Sequence, residues 1–298
     1  MTSRPRATLV GLTAILMWSA LSTLVAVSGT VPPFLLNALT FGISGVAATI
    51  GLAVTGRLGV LRQPWRVWLL GVAGLFGYHA LYFAALRWAP PVEASLVNYL
   101  WPLLIVVLSG LLPGERLRPH HLIGAGLGLA GAVAVVTKGR AIDLDPAHVA
   151  GYLCAAGAAF TWAGYSVLSR RVGSVPTATV AGFCLATAIL SGVCHAVFET
   201  SVWPVGAVQW GAVVALAVFP LGLAFFVWDH GVKRGDIQVL GAASYLAPLL
   251  STLLLILSGH GRFDASIGFA AGAITLGAIV ASKDMLLRRK APASSAEA

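Results

Sequence analysis

Apolar residues in this chain run in long uncharged stretches separated by short polar joints. A helix crossing the hydrocarbon layer of a bilayer needs about 20 mostly apolar residues. Ten stretches meet that length, at about 7–27, 31–54, 67–87, 92–112 and 119–137, then about 149–169, 176–198, 207–229, 237–258 and 265–285. They are numbered here as segments 1 to 10. The joints are mostly too short for anything but an antiparallel return. The longest, 138–148, carries Asp143, Asp145 and Pro146. It divides the chain into a first five-helix unit at 1–137 and a second at 149–290, followed by an Ala/Ser-rich polar tail at 291–298 that reads as disordered.

The two units resemble each other. Ala14, Trp18, Ser22, Leu24 and Pro32 recur 144 residues later as Ala158, Trp162, Ser166, Leu168 and Pro176. Tyr99, Leu100, Pro102, Leu103 and Leu104 recur after 146 as Tyr245, Leu246, Pro248, Leu249 and Leu250, and Gly124 and Gly128 recur after 144 as Gly268 and Gly272. Matches among apolar residues arise by chance, but a constant order that includes Trp, Tyr and Pro rarely does. An odd number of crossings per unit forces the second copy to enter the membrane from the opposite side. The expected fold is therefore an all-α membrane protein, ten transmembrane helices as two inverted-topology five-helix repeats around a central cavity. That geometry points to transport.

Composition supports the membrane reading. The chain is 58% hydrophobic and 10% charged, against roughly a quarter charged in soluble domains. No segment is left over for a sizeable soluble domain. The net charge of +9 sits in the joints, which makes it a signal of orientation and not of nucleic-acid binding. With the N-terminus in the cytoplasm, the inner set is Arg4, Arg6, Arg57, Arg62, Arg66, Arg116, Arg118, Arg170, Arg171, Lys233, Arg234, Lys283, Arg288, Arg289 and Lys290. The outer set is Arg87, Lys138, Arg140 and Arg262. Fifteen against four places both termini in the cytoplasm. Arg4 and Arg6 before an apolar run resemble a signal peptide, but the run is too long and returns in mid-chain, so it is kept as segment 1. Cys154, Cys184 and Cys194 lie within apolar stretches, an odd number without metal-ligand spacing, and read as packing residues.

Candidate chemistry is sparse. Pro102 and Pro248 fall midway along segments 4 and 9, where proline kinks a helix and frees a carbonyl; duplication suggests paired gates, against plain packing kinks. Pro220, near Gly222, is a further kink candidate in segment 8 without a proline counterpart in segment 3. Trp65, Trp68, Trp88, Trp203, Trp210 and Trp228 lie near segment ends and fit an interfacial belt. Trp18, Trp162, Tyr78, Tyr82, Tyr99, Trp101 and Tyr245 lie deeper, where a polar tip needs a partner. Tyr78 and Tyr82 share a helix face beside His79. Such a set lines a cavity for flat amphipathic substrates, or packs between helices. Asn98, Ser22, Ser166, Ser244 and His79 supply neutral partners for a zwitterion.

His79 is the ionisable side chain placed at mid-membrane; Asp229 and His230 read as solvated at the end of segment 8, and Glu93 as favourable against a helix dipole. Without a carboxylate at that depth the usual proton relay is missing, which favours facilitated diffusion. Gly124, Gly128, Gly268 and Gly272 form small-xxx-small pairs for close packing within the chain, with a monomer the default and a dimer open. No catalytic constellation, metal set or cofactor motif is present. This argues against a membrane-embedded enzyme.

The run LRWAPPVEASLVNYLWPLLIVVLSGLLPGERL from Leu86 to Leu117 resembles the end of the first repeat of the drug/metabolite transporter superfamily (EamA-like), and SYLAPLLSTLLLILSG from Ser244 resembles its second copy. With WSALSTL from Trp18 and WAGYSVL from Trp162, the chain resembles the YddG-type aromatic amino-acid exporters over nearly its whole length. The resemblance implies a basket of ten helices in a bacterial inner membrane, exporting aromatic and some other amino acids through a cavity surrounded by helices 1, 3, 4, 6, 8 and 9. An exporter of drugs or other hydrophobic metabolites is the alternative. It also implies cavity positions for Trp18, Tyr78, His79, Tyr82, Tyr99, Trp101, Trp162 and Tyr245. Two features depart from the family. Asn37 follows Pro32 and Pro33 where many relatives carry an arginine, and SGHGRF in the second unit lacks the acid that PGERL has at Glu115.

Overall fold

Prolines open several of the helices, where their missing N–H costs nothing and their fixed φ suits the first turn. Pro33, Pro91 and Pro119 each stand at the first position of a helix in the computed structural model, which describes residues 3–142, 144–257 and 265–284. Asp143, the SGHGRF loop with Arg262, the basic residues Arg288, Arg289 and Lys290, and the tail at 291–298 lie outside the described residues.

Among the described residues all regular structure is helical. The helices are α1 (Arg4–Ser19), α2 (Leu21–Val27), α3 (Pro33–Val54), α4 (Trp65–Val72), α5 (Tyr78–Trp88), α6 (Pro91–Asn98), α7 (Trp101–Ser109) and α8 (Pro119–Thr137), then α9 (Val149–Arg171), α10 (Val180–Phe198), α11 (Gly206–Val218), α12 (Ala224–Arg234), α13 (Ile237–Ala243), α14 (Leu246–Leu257) and α15 (Ala265–Ala281). Several join end to end, so that eight helical rods are long and apolar enough to cross a membrane, among them Arg4–Val27, Trp65–Trp88, Pro91–Ser109 and Gly206–Arg234. Two elements stand outside that set: α9, which is more polar, and α15, which is shorter.

The joins carry the architecture. Between α6 and α7 the helix breaks at Tyr99–Leu100, and between α13 and α14 at Ser244–Tyr245. Pro102 and Pro248 lie just beyond, and each lacks the N–H that would bond the carbonyl four residues back. The join of α11 to α12 is a π-turn, Phe219–Leu223, with Pro220 at its second residue. A second π-turn, Ala73–Gly77, joins α4 to α5 at a spacing of 146 residues from the first. Pro220 therefore does have a counterpart in segment 3: a matching irregularity of the backbone without a proline. Segment 1 also breaks, at Ala20, whereas its sequence counterpart α9 runs unbroken.

Two helix pairs flank the bundle, α3 on α10 and α8 on α15. In the second, the Gly277 carbonyl stands 2.5 Å from where a Cβ on Gly124 would be, so only glycine permits this approach. Between the pairs, α9 packs on α5, α6, α7 and α12, and α1 packs on α12, α13 and α14.

The bundle is closed at the end that carries Arg4. There α7 packs on α13 and α9, and α1 meets α12 so closely that a Cβ on Gly231 would lie 2.6 Å from the Gly11 Cα. Charges tie the same end. Arg4 pairs with Glu115 at 2.9 Å and with Asp236 at 3.3 Å, and Arg170 pairs with Glu115 while donating to the carbonyls of Val232 and Gly235 at 2.9 and 2.8 Å. At the other end α5 and α6 pack against α9, and α2 packs against α11 and α14, with α8 touching both α6 and α14 and Phe34 of α3 meeting Phe83 of α5. Thus α7 and α13 pack on each other whereas α6 and α14 are not a packed pair, which leaves segments 4 and 9 splayed from one another at that end.

Candidate functional site

Four tryptophans from four different helices meet in one cluster. Trp18 on α1, Trp101 on α7, Trp162 on α9 and Trp228 on α12 touch in every pairwise combination, with ring centroids 5.1–6.3 Å apart. Most pairs are edge-to-face, the arrangement that places a positive ring edge on a negative face. Two of the polar tips have hydrogen-bond partners. Trp18 donates its indole N–H to the Pro220 carbonyl at 3.1 Å, using the irregular backbone of the π-turn, and Trp228 donates to the Ser166 hydroxyl at 3.1 Å.

Trp228 corrects the sequence reading. Its place near a segment end suggested the interfacial belt, yet it is fully buried inside the cluster. Its neighbour Asp229 is not solvated either: it is 1% exposed, pairs with Lys233 at 2.9 Å and accepts from the Thr177 hydroxyl at 2.7 Å. The i, i+4 partner on the same helix compensates the carboxylate, so this charged turn can be buried and carry Trp228 inward. Trp65, Trp88, Trp203 and Trp210 are exposed, as a belt requires, and Trp68 packs edge-on against Phe183.

A second tier of rings continues from the cluster. Tyr78 lies 5.5 Å from Trp162 and stacks on Tyr82 at 6.0 Å, while His79 packs edge-on against Phe41 and Phe225. His79 Nδ1 lies 2.7 Å from the Leu75 carbonyl. A carbonyl only accepts, so Nδ1 carries the proton and, in the neutral ring, Nε2 keeps a lone pair. Tyr82 hydrogen-bonds Ser95 at 3.0 Å, and the Asn98 amide donates to the Tyr78 hydroxyl at 3.2 Å. Asn98 is buried, and its side-chain oxygen has no partner among the described residues. That oxygen sits at the C-terminal end of α6, where the helix dipole is negative and where Pro102 cannot bond the Asn98 carbonyl.

Tyr99 stands beside Tyr78 and Tyr82, whereas Tyr245 and Ser244 do not join this tier. Tyr99 is half-buried, and its hydroxyl makes no hydrogen bond among the described residues. Tyr245 and Ser244 are buried elsewhere: the Tyr245 ring belongs to a separate core with Ala132, Leu249 and Ile274, and Ser244 bonds the Leu240 carbonyl of its own helix. Ser22 is exposed near the splayed end. Asn37 donates to Ser191 at 2.8 Å, inside the α3–α10 pair. A pocket of about 490 Å³ between α8 and α15, lined by Lys138 and Phe269 among others, shares no residue with the aromatic cluster.

Phe41, Phe225 and Asp236 were not singled out by sequence, Trp228 was assigned to the belt, and Arg4, Glu115 and Arg170 were noted without their pairing. Glu115 had a signal in its PGER joint, and Asp236 had one as a helix N-cap, since its carboxylate accepts from Val239 N–H at 3.2 Å.

Set beside known proteins, residues 5–137 and 149–283 each match the EamA-like transporter family. The chain is 55% identical over 289 residues to the aromatic amino acid exporter YddG of Ancylobacter novellus, covering 96% of this chain and 100% of that protein. It is 28% identical over 273 residues to the aromatic amino acid exporter YddG of Salmonella typhimurium, covering 86% and 89%. A crystal structure 55% identical in sequence superposes with a TM-score of 0.91, covering 96% of this chain and 99% of the other.

Proposed function

This chain belongs to the EamA-like transporter family, and on that premise we propose that it exports amino acids, aromatic ones above all, by alternating access across the bacterial inner membrane. The four-tryptophan cluster with its tier of tyrosines carries this reading. Its half-buried members, Trp18, Tyr78 and Tyr82, give ring surface to an aromatic side chain, next to polar groups that have spare bonding capacity. The Ancylobacter novellus exporter at 55% identity supports the same substrate class.

A zwitterion fits that set without a fixed charge. Its ammonium needs acceptors, and the Asn98 side-chain oxygen and the Asn98 carbonyl are acceptors at the negative end of α6, with His79 Nε2 a further acceptor on the neighbouring ring tier. Its carboxylate needs donors, and the hydroxyls of Tyr78 and Tyr99 have protons to give. Neutral partners give modest affinity, which favours release on the far side.

Ten crossings in two inverted five-helix units, both chain ends cytoplasmic, form the frame of the mechanism. The paired family match, the paired breaks at Tyr99 and Tyr245 and the π-turns 146 residues apart all support it. In that frame the charged tie seals the cytoplasmic end and the splayed end faces outward. The nearby carboxylates are already committed to cations, Asp229 to Lys233 and Glu115 to Arg4 and Arg170. The transporter then moves substrate down its own gradient.

Replacing Tyr78, Tyr99 or Trp162 by Ala tests the site in reconstituted vesicles. Each variant should lose tenfold or more of phenylalanine exchange while still eluting as folded protein. Wild-type exchange in all three would overturn the aromatic site. Dye efflux that phenylalanine does not compete with would replace the amino-acid reading with one of drug export.

A further inference from the structure

In an unbroken helix the Leu103 N–H would bond the Tyr99 carbonyl four residues back. Here the break at Tyr99–Leu100 parts them, and a side chain from the other unit enters the gap. The Tyr245 hydroxyl accepts from the Leu103 N–H at 3.2 Å and donates to the Tyr99 carbonyl at 3.1 Å. One phenol thus stands in for one lost backbone bond in a place where water is scarce. Its ring is fully buried and lies flush on Gly128, where a Cβ would overlap it.

Each participant has a counterpart in the opposite unit. Tyr99 answers to Tyr245 and Leu249 to Leu103 at a spacing of 146, and Gly272 answers to Gly128 at 144. The counterparts are disengaged. Among the described residues the Tyr99 hydroxyl bonds nothing, and no hydroxyl bridges the Leu249 amide to the Tyr245 carbonyl. Among the described residues a Cβ on Gly272 would meet nothing within 4 Å. The engaged set accompanies the end where α7 and α13 pack together, and the disengaged one accompanies the splay of α6 from α14.

We propose that Tyr99 and Tyr245 form a reciprocal latch, in which each phenol bridges the break in the other's helix in one of the two access states. In the state seen here Tyr245 is seated in the break between α6 and α7, and α6 stands apart from α14. In the opposite state Tyr99 seats between the Leu249 amide and the Tyr245 carbonyl with its ring on Gly272, and Tyr245 is released. Exchange of one bond for an equivalent one keeps the two states close in energy, as a carrier cycling without an ion gradient requires.

The latch rests on the inverted-repeat, alternating-access reading, so its test reads conformation and not transport. Spin labels at V27C on α2 and V92C on α6, with Cys154, Cys184 and Cys194 replaced by Ala, report the splayed end of the full chain in lipid nanodiscs. Y245F keeps the ring and removes the bridge, and should shift the population about fivefold from long to short distances. Y99F should shift it by a similar factor the other way, and the double variant should restore the starting ratio. No shift, or shifts of both single variants in one direction, overturns the latch. Opposite shifts in a protein that exchanges no amino acid would keep the latch and remove the proposed function.

Discussion

The indole N–H of Trp18 lies 3.1 Å from the carbonyl oxygen of Pro220, which ties the first helix of the chain to the π-turn between α11 and α12. That turn exists because proline withholds a donor and because Gly222 lets the backbone fold back on the Ala217 carbonyl. Trp18→Phe keeps an aromatic ring but removes the donor. It should cost about 1 kcal/mol of stability, seen as a lower Tm in detergent, because the carbonyl loses its partner. An unchanged Tm would mean that this bond does not hold the two elements together.

Asn98 should select for the amino group. Asn98→Ala removes the unpartnered acceptor at the end of α6 and should weaken competition by phenylalanine about tenfold. Competition by 3-phenylpropionate, which lacks the ammonium, should hardly change. Equal loss for both ligands would assign Asn98 to holding Tyr78 and not to the substrate.

Glu115 is shared between Arg4 and Arg170 with its own side chain 7% exposed. Breaking a buried pair costs about 3–5 kcal/mol, less where solvent screens it as at Arg4. Glu115→Gln should therefore loosen the closed end. A cysteine at Ser109, buried in α7, should react at least tenfold faster with maleimide applied from that side. Unchanged reactivity would show that helix packing alone closes the bundle.

The crossing of α1 and α12 depends on two glycines. Gly231→Ala would place a Cβ 2.6 Å from the Gly11 Cα, backbone that cannot give way cheaply. Overpacking of this kind costs about 1–3 kcal/mol, and the variant should show both a lower Tm and greater reactivity of the same Ser109 cysteine. Normal values would mean that α1 and α12 can separate freely.

Much of this was legible in the sequence because bilayer thickness fixes segment length. Segment 6, expected at about 149–169, is α9 at Val149–Arg171, and segment 3, expected at about 67–87, is the rod Trp65–Trp88. The central aromatics Trp18, Tyr78, Trp101 and Trp162 were legible from depth alone. Trp228 was not, because its neighbours Asp229, His230 and Lys233 look like a surface turn. The partners that permit burial are Lys233 one turn on and Thr177 on a distant part of the chain. The π-turn at Ala73–Gly77 was hidden because it lacks a proline; its offset of 146 from Pro220's turn was the available clue. Tyr245 was read as facing the cavity because depth fixes a residue's height in the membrane but not its direction around the helix axis. The hydrogen bonds to Tyr99 and Leu103 supply that direction.

Counterflow in proteoliposomes tests the central claim most directly. Vesicles loaded with unlabelled phenylalanine, diluted into labelled phenylalanine with no ion gradient, should accumulate label transiently above the equilibrium level. Vesicles that show no such overshoot, or take up label only when a proton gradient is imposed, would contradict a carrier that cycles substrate between two access states without ion coupling.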